Sequence, residues 1–321
     1  MELTITPADA GRRLNKFLFA YLNNAPHSFI YRMIRQKRIK LNGKKAQGNE
    51  VLSSGDRLIF YLSPETIESS RRTRDIPVAQ HLTGIVHEDD FLLVLNKSAG
   101  VPSQGGFDSN ESSTDHLLAR ALHYLHKSGS YDPSSSFTPA LCNRLDVNTT
   151  GLVVCGKNIS AIREINTLFS GLGIVKEYIT VVEGRVSHAQ TLEGFYKKDT
   201  KRNIAKILPT STTGKVSSNE TVITSYAPLA ANDKFSLLLV SPKTGRSHQI
   251  RAHLASAGHP IAGDMKYGGR PIPYAKHGLL HCKSLEIAME NKLPYPISTK
   301  WEAPLPENLK KCIKDLFNFE R

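Results

Sequence analysis

The chain has 321 residues and carries 42 Lys and Arg against 29 Asp and Glu, a formal net charge of +13. That length can bury a sizeable core and accommodates two domains. The four cysteines, Cys142, Cys155, Cys282 and Cys312, show none of the close pairs of a zinc site or redox couple, and read as free thiols of a reducing compartment. No apolar stretch is long enough to span a bilayer, and the N-terminus lacks the basic start and apolar core of a secretory signal, so the expectation is a cytoplasmic protein without a membrane partner.

The excess charge is concentrated at the start. Residues 1–62 hold eleven Lys or Arg and four Asp or Glu, a net of +7, which points to a polyanion-binding module, with plain solubility as the bland alternative. Leu14, Phe17, Leu18, Tyr21 and Leu22 are spaced as one apolar helix face. Pro26-His27-Ser28 then breaks the chain, with Ser28 suited to cap a second helix that turns Ile30, Met33 and Ile34 inward and Arg32 and Arg35 outward. From Tyr31 to Lys45 there are seven Lys or Arg and no acid: Arg32, Arg35, Lys37, Arg38, Lys40, Lys44 and Lys45. Ile39-Lys40-Leu41 reads as a short strand into the tight turn Asn42-Gly43, and Arg57 to Leu62 as another strand.

Residues 63–81 are polar, lack an apolar period and read as a linker giving the flanking domains some reach. From Leu82 to the end at 321 short apolar strands alternate with polar turns, and only a few stretches, such as Ile159 to Phe169, look helical. The expected fold class is α+β, built on a mixed, largely antiparallel sheet. Residues 127–136 are a Ser-rich loop.

Two segments concentrate polar chemistry. Asn143-Arg144-Leu145-Asp146-Val147-Asn148-Thr149-Thr150-Gly151 sets an arginine and a carboxylate two residues apart before the apolar strand Leu152 to Cys155, where a buried Asp is costly unless something pairs or uses it. Thr244-Gly245-Arg246-Ser247-His248-Gln249-Ile250-Arg251-Ala252-His253-Leu254 offers two arginines and two histidines, followed by Gly258-His259-Pro260-Ile261-Ala262-Gly263-Asp264. With no third ligand at matching spacing, His248 and His253 read as hydrogen-bonded structural histidines rather than a metal pair.

These segments resemble the RluA-type family of pseudouridine synthases, whose first motif runs His-Arg-Leu-Asp, two variable positions, Thr-Ser-Gly, and whose later one runs Gly-Arg-Thr-His-Gln-Ile-Arg-Val-His. Val86 to Lys97 is similar to that family's opening strand pair, Lys176-Glu177-Tyr178 to its tyrosine motif, Leu279-Leu280-His281-Cys282 to its closing motif and Glu302 to Pro306 to its C-terminal end. The likeness covers roughly residues 82–310. Asn143 stands where the family usually has His, and Thr150 where it usually has Ser. The two small helices, basic edge and hairpin of residues 1–62 resemble the S4 RNA-binding domain that family members commonly carry at this end.

The resemblance implies an enzyme that isomerises uridine to pseudouridine in RNA. It implies Asp146 as the catalytic carboxylate, Arg251 as its ion-pair partner and Tyr178 as a catalytic ring that stacks on uracil and sits near C5 for the final proton removal, where a core aromatic on a strand is the bland alternative. Arg144 would fill the stack vacated by a flipped base. Lys97 and Lys176 read as phosphate or sheet-edge contacts. The isomerisation gains no electrons or atoms, so no cofactor or metal is expected. Ser28 to Lys45 and the Gln104-Gly105-Gly106 segment look most like members that modify large-subunit ribosomal RNA, free or in an assembling particle. A synthase acting on transfer RNA and a noncatalytic ribosome-assembly factor are the alternatives. A monomer is the default for the oligomeric state.

Overall fold

The computed structural model describes residues 1–105, 115–209, 221–288 and 300–318. The N-terminal part follows the expected pattern: β1 (Glu2–Thr4), α1 (Leu14–Tyr21), α2 (His27–Arg35), β2 (Ile39–Leu41), β3 (Lys44–Lys45) and β4 (Arg57–Phe60). The four strands form an antiparallel sheet in the order β1-β4-β2-β3. Leu14, Phe17, Leu18, Ile30, Ile34, Leu58 and Phe60 form a single buried cluster beneath it. The Asn42-Gly43 turn works as the sequence demands, because both residues take positive φ (50° and 75°), the twist that matches a two-residue hairpin.

Two expectations for this region need correction. Ser28 does not cap α2. The helix already begins at His27, with Pro26 in the cap position, where its fixed φ leads the chain into the first turn. The segment expected to be an unstructured linker opens with α3 (Pro64–Ser69): the Ser63 hydroxyl accepts from Thr66 N at 3.2 Å, and Ile67 is buried with the N-terminal core. The segment also ties down rather than swings. Arg71 donates to Ser134 O at 2.9 Å, and Arg74 donates to Ser135 O and to Ala20 O. Arg12 adds a bond to Ser136 O at 3.0 Å, so the Ser-rich loop serves as a dock for the N-terminal part.

The rest of the chain builds the large sheet. Its elements are β5 (Ile85–Glu88), β6 (Leu92–Lys97), α4 (Leu117–Lys127), β7 (Ala140–Leu141), β8 (Thr150–Gly156), α5 (Ile159–Ser170), β9 (Ile174–Glu183), β10 (Gln190–Asp199), β11 (Ile204–Leu208), β12 (Thr221–Ala231), β13 (Phe235–Pro242), α6 (Gln249–Ser256), β14 (Leu280–Ile287), β15 (Lys300–Glu302) and α7 (Glu307–Phe317). Among the described residues eleven strands join, in the path β11-β10-β12-β13-β9-β14-β8-β6-β5 with β15 on β14 and β7 on β8. The expected α+β class with a mixed, largely antiparallel sheet is what forms, since β8 and β14 make its parallel pair.

That parallel seam positions the site. Parallel strands start at the same edge of a sheet, so the loop entering β8, which holds Asp146, and the loop entering β14 emerge side by side. The approach is close: Gly151 has φ +107°, and a Cβ there would lie 2.1 Å from Cys282 O, so only glycine fits. The seam runs through the main core, among Leu152, Val153, Val154, Cys282 and Leu285.

Candidate active site

The loop carrying Asp146 is held on both sides. Upstream, the Asn143 amide bridges the backbone of β8, accepting from Val154 N at 2.8 Å and donating to Leu152 O at 3.1 Å. Ser103 Oγ accepts from Leu145 N and donates to Leu145 O at 3.1 and 2.8 Å. Downstream, Lys97 is only 1% exposed and its Nζ donates to the carbonyls of Ser98, Val101 and Val147 at 2.8–2.9 Å. This overturns the reading of Lys97 as a phosphate contact. Burial pushes its ammonium down to about 8, against the favourable charge of Asp146.

Asp146 faces α6. Arg251 Nη1 lies 3.1 Å from Asp146 Oδ2, while its Nε and Nη2 form a bidentate pair with Asp264 at 2.6 and 2.8 Å. Burial opposes the charge of Arg251, but the hydrogen bonds and charges of Asp264, with those of Asp146, outweigh it and raise the pKa above its ordinary value. The Tyr267 ring covers the guanidinium, with Arg251 Cζ 4.8 Å from its centroid. His248 Nε2 stands 3.7 Å from the same Oδ2. No protein group among the described residues bonds to Oδ1, which leaves that oxygen available to the cleft.

Gln249 explains how this motif is fixed. It is 3% exposed, accepts from Thr244 Oγ1 and Arg246 N, and donates to Ile223 O and Thr224 Oγ1. Every hydrogen-bonding group of its amide is used, so α6 starts at a set place against β12. The resulting cleft, about 350 Å³, is lined by Asp146, Asn148, His248, Arg251, Lys266 and Lys276 among others. It is large enough for one extruded nucleoside, within the range of ligand pockets.

The whole chain compares with known proteins as this geometry suggests. Residues 91–256 match the family model described as RNA pseudouridylate synthase, and residues 12–58 match the S4 domain. The chain is 31% identical to ribosomal large subunit pseudouridine synthase C of Escherichia coli (strain K12), covering 98% of this chain and 96% of that protein. It belongs to the RNA pseudouridylate synthase family. Similarity is comparable, 31% over 96% of this chain and 93% of the relative, for the enzyme of the same description from Vibrio vulnificus (strain CMCP6). The fold is shared with human RNA pseudouridylate synthase domain containing 4, at 22% identity and TM-score 0.57, over 73% of this chain and 92% of that one.

Within this pseudouridine synthase the sequence-derived residues distribute as follows. Asp146 and Arg251 meet. Arg144 is exposed two residues from Asp146, and among the described residues no ion pair holds it. Tyr178 lies on β9 opposite Cys282 and is 9% exposed. Burial first, then the neighbouring Cys282 and the charge of Asp146, hold its phenol well above its ordinary pKa. Lys176 is buried and donates to Lys243 O at 3.3 Å. Its pKa is lowered by burial. In the S4 domain Arg32, Arg35 and Lys45 line one groove with Tyr31. Lys37, Arg38 and Lys44 are exposed beside it, and Lys40 lies over the Tyr61 ring at 5.0 Å. Gly106 of the Gln104-Gly105-Gly106 segment lies outside the described residues. The two histidines of the later motif diverge: His248 faces Asp146, whereas His253 is buried against Thr224 Oγ1 at 2.8 Å.

Sequence reasoning missed Asp264, Tyr267, Ser103 and the clamping role of Lys97. Asp264 had a signal, since a second acid close after the motif arginine could have been weighed as its anchor. The others are set by tertiary contacts that no local spacing announces.

Proposed function

We propose that this synthase converts specific uridines of large-subunit ribosomal RNA to pseudouridine, with Asp146 acting at the ribose and the S4 domain guiding the RNA. The observation that carries the reading is the asymmetric hold on Asp146 at the edge of the cleft it lines: Oδ2 is taken by Arg251, and among the described residues no side chain or backbone group bonds to Oδ1. The reaction breaks the bond from C1′ to N1, turns the uracil and joins C5 to C1′, while a proton leaves C5 and one is taken up at N1. Nothing is oxidised or reduced. Attack of the carboxylate on C1′ and removal of the ribose 2′ proton both require an unengaged carboxylate oxygen, and Oδ1 suits either.

Arg251 and Asp264 orient the carboxylate, and the walls of the cleft hinder escape of the freed base. Arg144, exposed beside Asp146, takes the space of the flipped nucleotide. Tyr178, on β9 opposite Cys282, is the ring that stacks on the uracil near C5. Its phenol is held well above its ordinary pKa, by burial first. The ribosomal substrate is supported by the relatives described as large-subunit enzymes and by the S4 domain. The enzyme acts on RNA as a monomer in the cytoplasm. Tritium release from C5-labelled RNA tests the substrate: release from large-subunit RNA but not from transfer RNA is expected, and the reverse would contradict the reading.

A further inference from the structure

Within the motif at 244–254, His248 is the non-glycine residue with left-handed backbone, φ 57° and ψ 15°. That conformation is unfavourable for a side chain with a Cβ, and it persists where surrounding contacts demand it. Here it delivers the imidazole between two partners. Nε2 faces Asp146 Oδ2 at 3.7 Å, and Nδ1 is 2.9 Å from the Tyr267 hydroxyl. The same hydroxyl accepts from Ala205 N at 2.8 Å, so its own proton is available to Nδ1. A neutral imidazole that accepts at Nδ1 carries its hydrogen on Nε2. The opposite tautomer would set a bare nitrogen lone pair against a carboxylate oxygen.

We propose that His248 is a positioning residue for Asp146. Tyr267 holds it as the Nε2–H tautomer, and that N–H joins Arg251 in fixing Oδ2 so that Oδ1 is presented to the ribose. The inference rests on the reading of Asp146 as the catalytic carboxylate. A separation of 3.7 Å is longer than a hydrogen bond. Catalytic contacts often shorten by this much when substrate is bound.

The groups facing the ring are Asp146 from the loop before β8, Arg251 from α6, Lys266 and Tyr267 from the turn before β14, and Lys198 from β10. Burial lowers the pKa of His248, Asp146 opposes that, and the three cations reinforce it. The ring is therefore neutral at pH 7. A second proton, taken up at Nδ1 in acid, removes the acceptor that Tyr267 needs and places a full charge against Asp146, which makes the carboxylate less reactive.

The test is the single-turnover rate on bound RNA for wild type, H248A, H248Q, Y267F and the double variant H248A/Y267F, with RNA affinity and thermal melting measured alongside. H248A should slow the bound reaction about tenfold or more, the effect of losing one charge-assisted hydrogen bond, with affinity within about twofold. H248Q, whose amide keeps a donor but does not titrate, should recover most of the rate and lack the decline that wild type shows in acid, below the ordinary histidine range. Y267F should slow wild type yet add little to H248A. Equal rates for H248A and H248Q, or additive losses for the double variant, would overturn the proposal. D146N separates the two failures: activity surviving D146N removes the Asp146 reading itself, whereas an inactive D146N beside an unaffected H248A removes only the positioning role.

Discussion

Replacing Asp264 with Asn separates the residue that anchors Arg251 from the residue Arg251 serves. The Asp264 side chain is 4% exposed and takes two guanidinium nitrogens, whereas Asp146 is 23% exposed and takes one at 3.1 Å. Removing one partner of a buried pair costs about 3–5 kcal/mol. In D264N the new carbonyl still accepts one of the two bonds and Asp146 still balances the charge, so about 2–3 kcal/mol is expected. D146N keeps an acceptor at a single, more exposed contact and loses only its charge, which should cost under about 1 kcal/mol. At roughly 2–4 °C per kcal/mol for a unit of this size, D264N melts about 5–10 °C below wild type and D146N within about 4 °C. Both variants should lose activity, D264N through misplacement of Arg251 and D146N through loss of the reacting group. Circular dichroism melting beside a tritium-release assay reads both quantities. A D264N protein that melts with wild type, or a D146N protein that melts below D264N, would refute the assignment of Asp264 as the anchor.

Three further outcomes follow from the same geometry. His253 and His281 are buried and held down to about 4, so between about pH 6.5 and 4 the unfolded chain binds protons that the folded one refuses, and stability falls with pH. Urea unfolding should show a loss of about 2 kcal/mol per imidazole on going from about pH 7 to 5, and a flat profile would refute it. Arg144→Ala should slow isomerisation of a uridine stacked in a stem far more than one in an unstructured oligomer, in single-turnover assays on both RNAs; equal losses would exclude the wedge role. Changing Arg32, Arg35 and Lys45 together to Gln should lower the log-log salt slope of RNA binding by about 2–3, at 0.7–0.9 per lost phosphate contact, and an unchanged slope would detach that groove from the RNA.

The legible parts of this protein were those where chemistry is local. The apolar run Leu152 to Cys155, closed by Gly156-Lys157-Asn158, reads as a buried strand, and the Asn42-Gly43 turn announces its hairpin through two residues that tolerate positive φ. The pairing of Asp146 with Arg251 was reached through motif likeness, because nothing in the spacing of residues 105 positions apart specifies contact. A lysine ending a strand is ordinarily solvated, so nothing local marks Lys97 as buried. Here three carbonyls, one from the Asp146 loop itself, make burial tolerable. The helix Pro64–Ser69 was overlooked although Ser63-Pro64-Glu65 is a proper start signal, since its brevity hides the apolar period and its one inward residue is Ile67. By spacing alone His248 and His253 read alike, but the left-handed turn at His248 sends the two rings to different environments.

The most direct measurement is tritium release from C5-labelled large-subunit RNA by wild type and D146N, run beside a binding titration. The isostere keeps the shape of the side chain and the acceptor toward Arg251 but removes the carboxylate. The account predicts release by wild type, a loss in D146N of about 10² or more, and nearly equal affinities. Release by D146N above about a tenth of the wild-type rate would contradict the role given to Asp146.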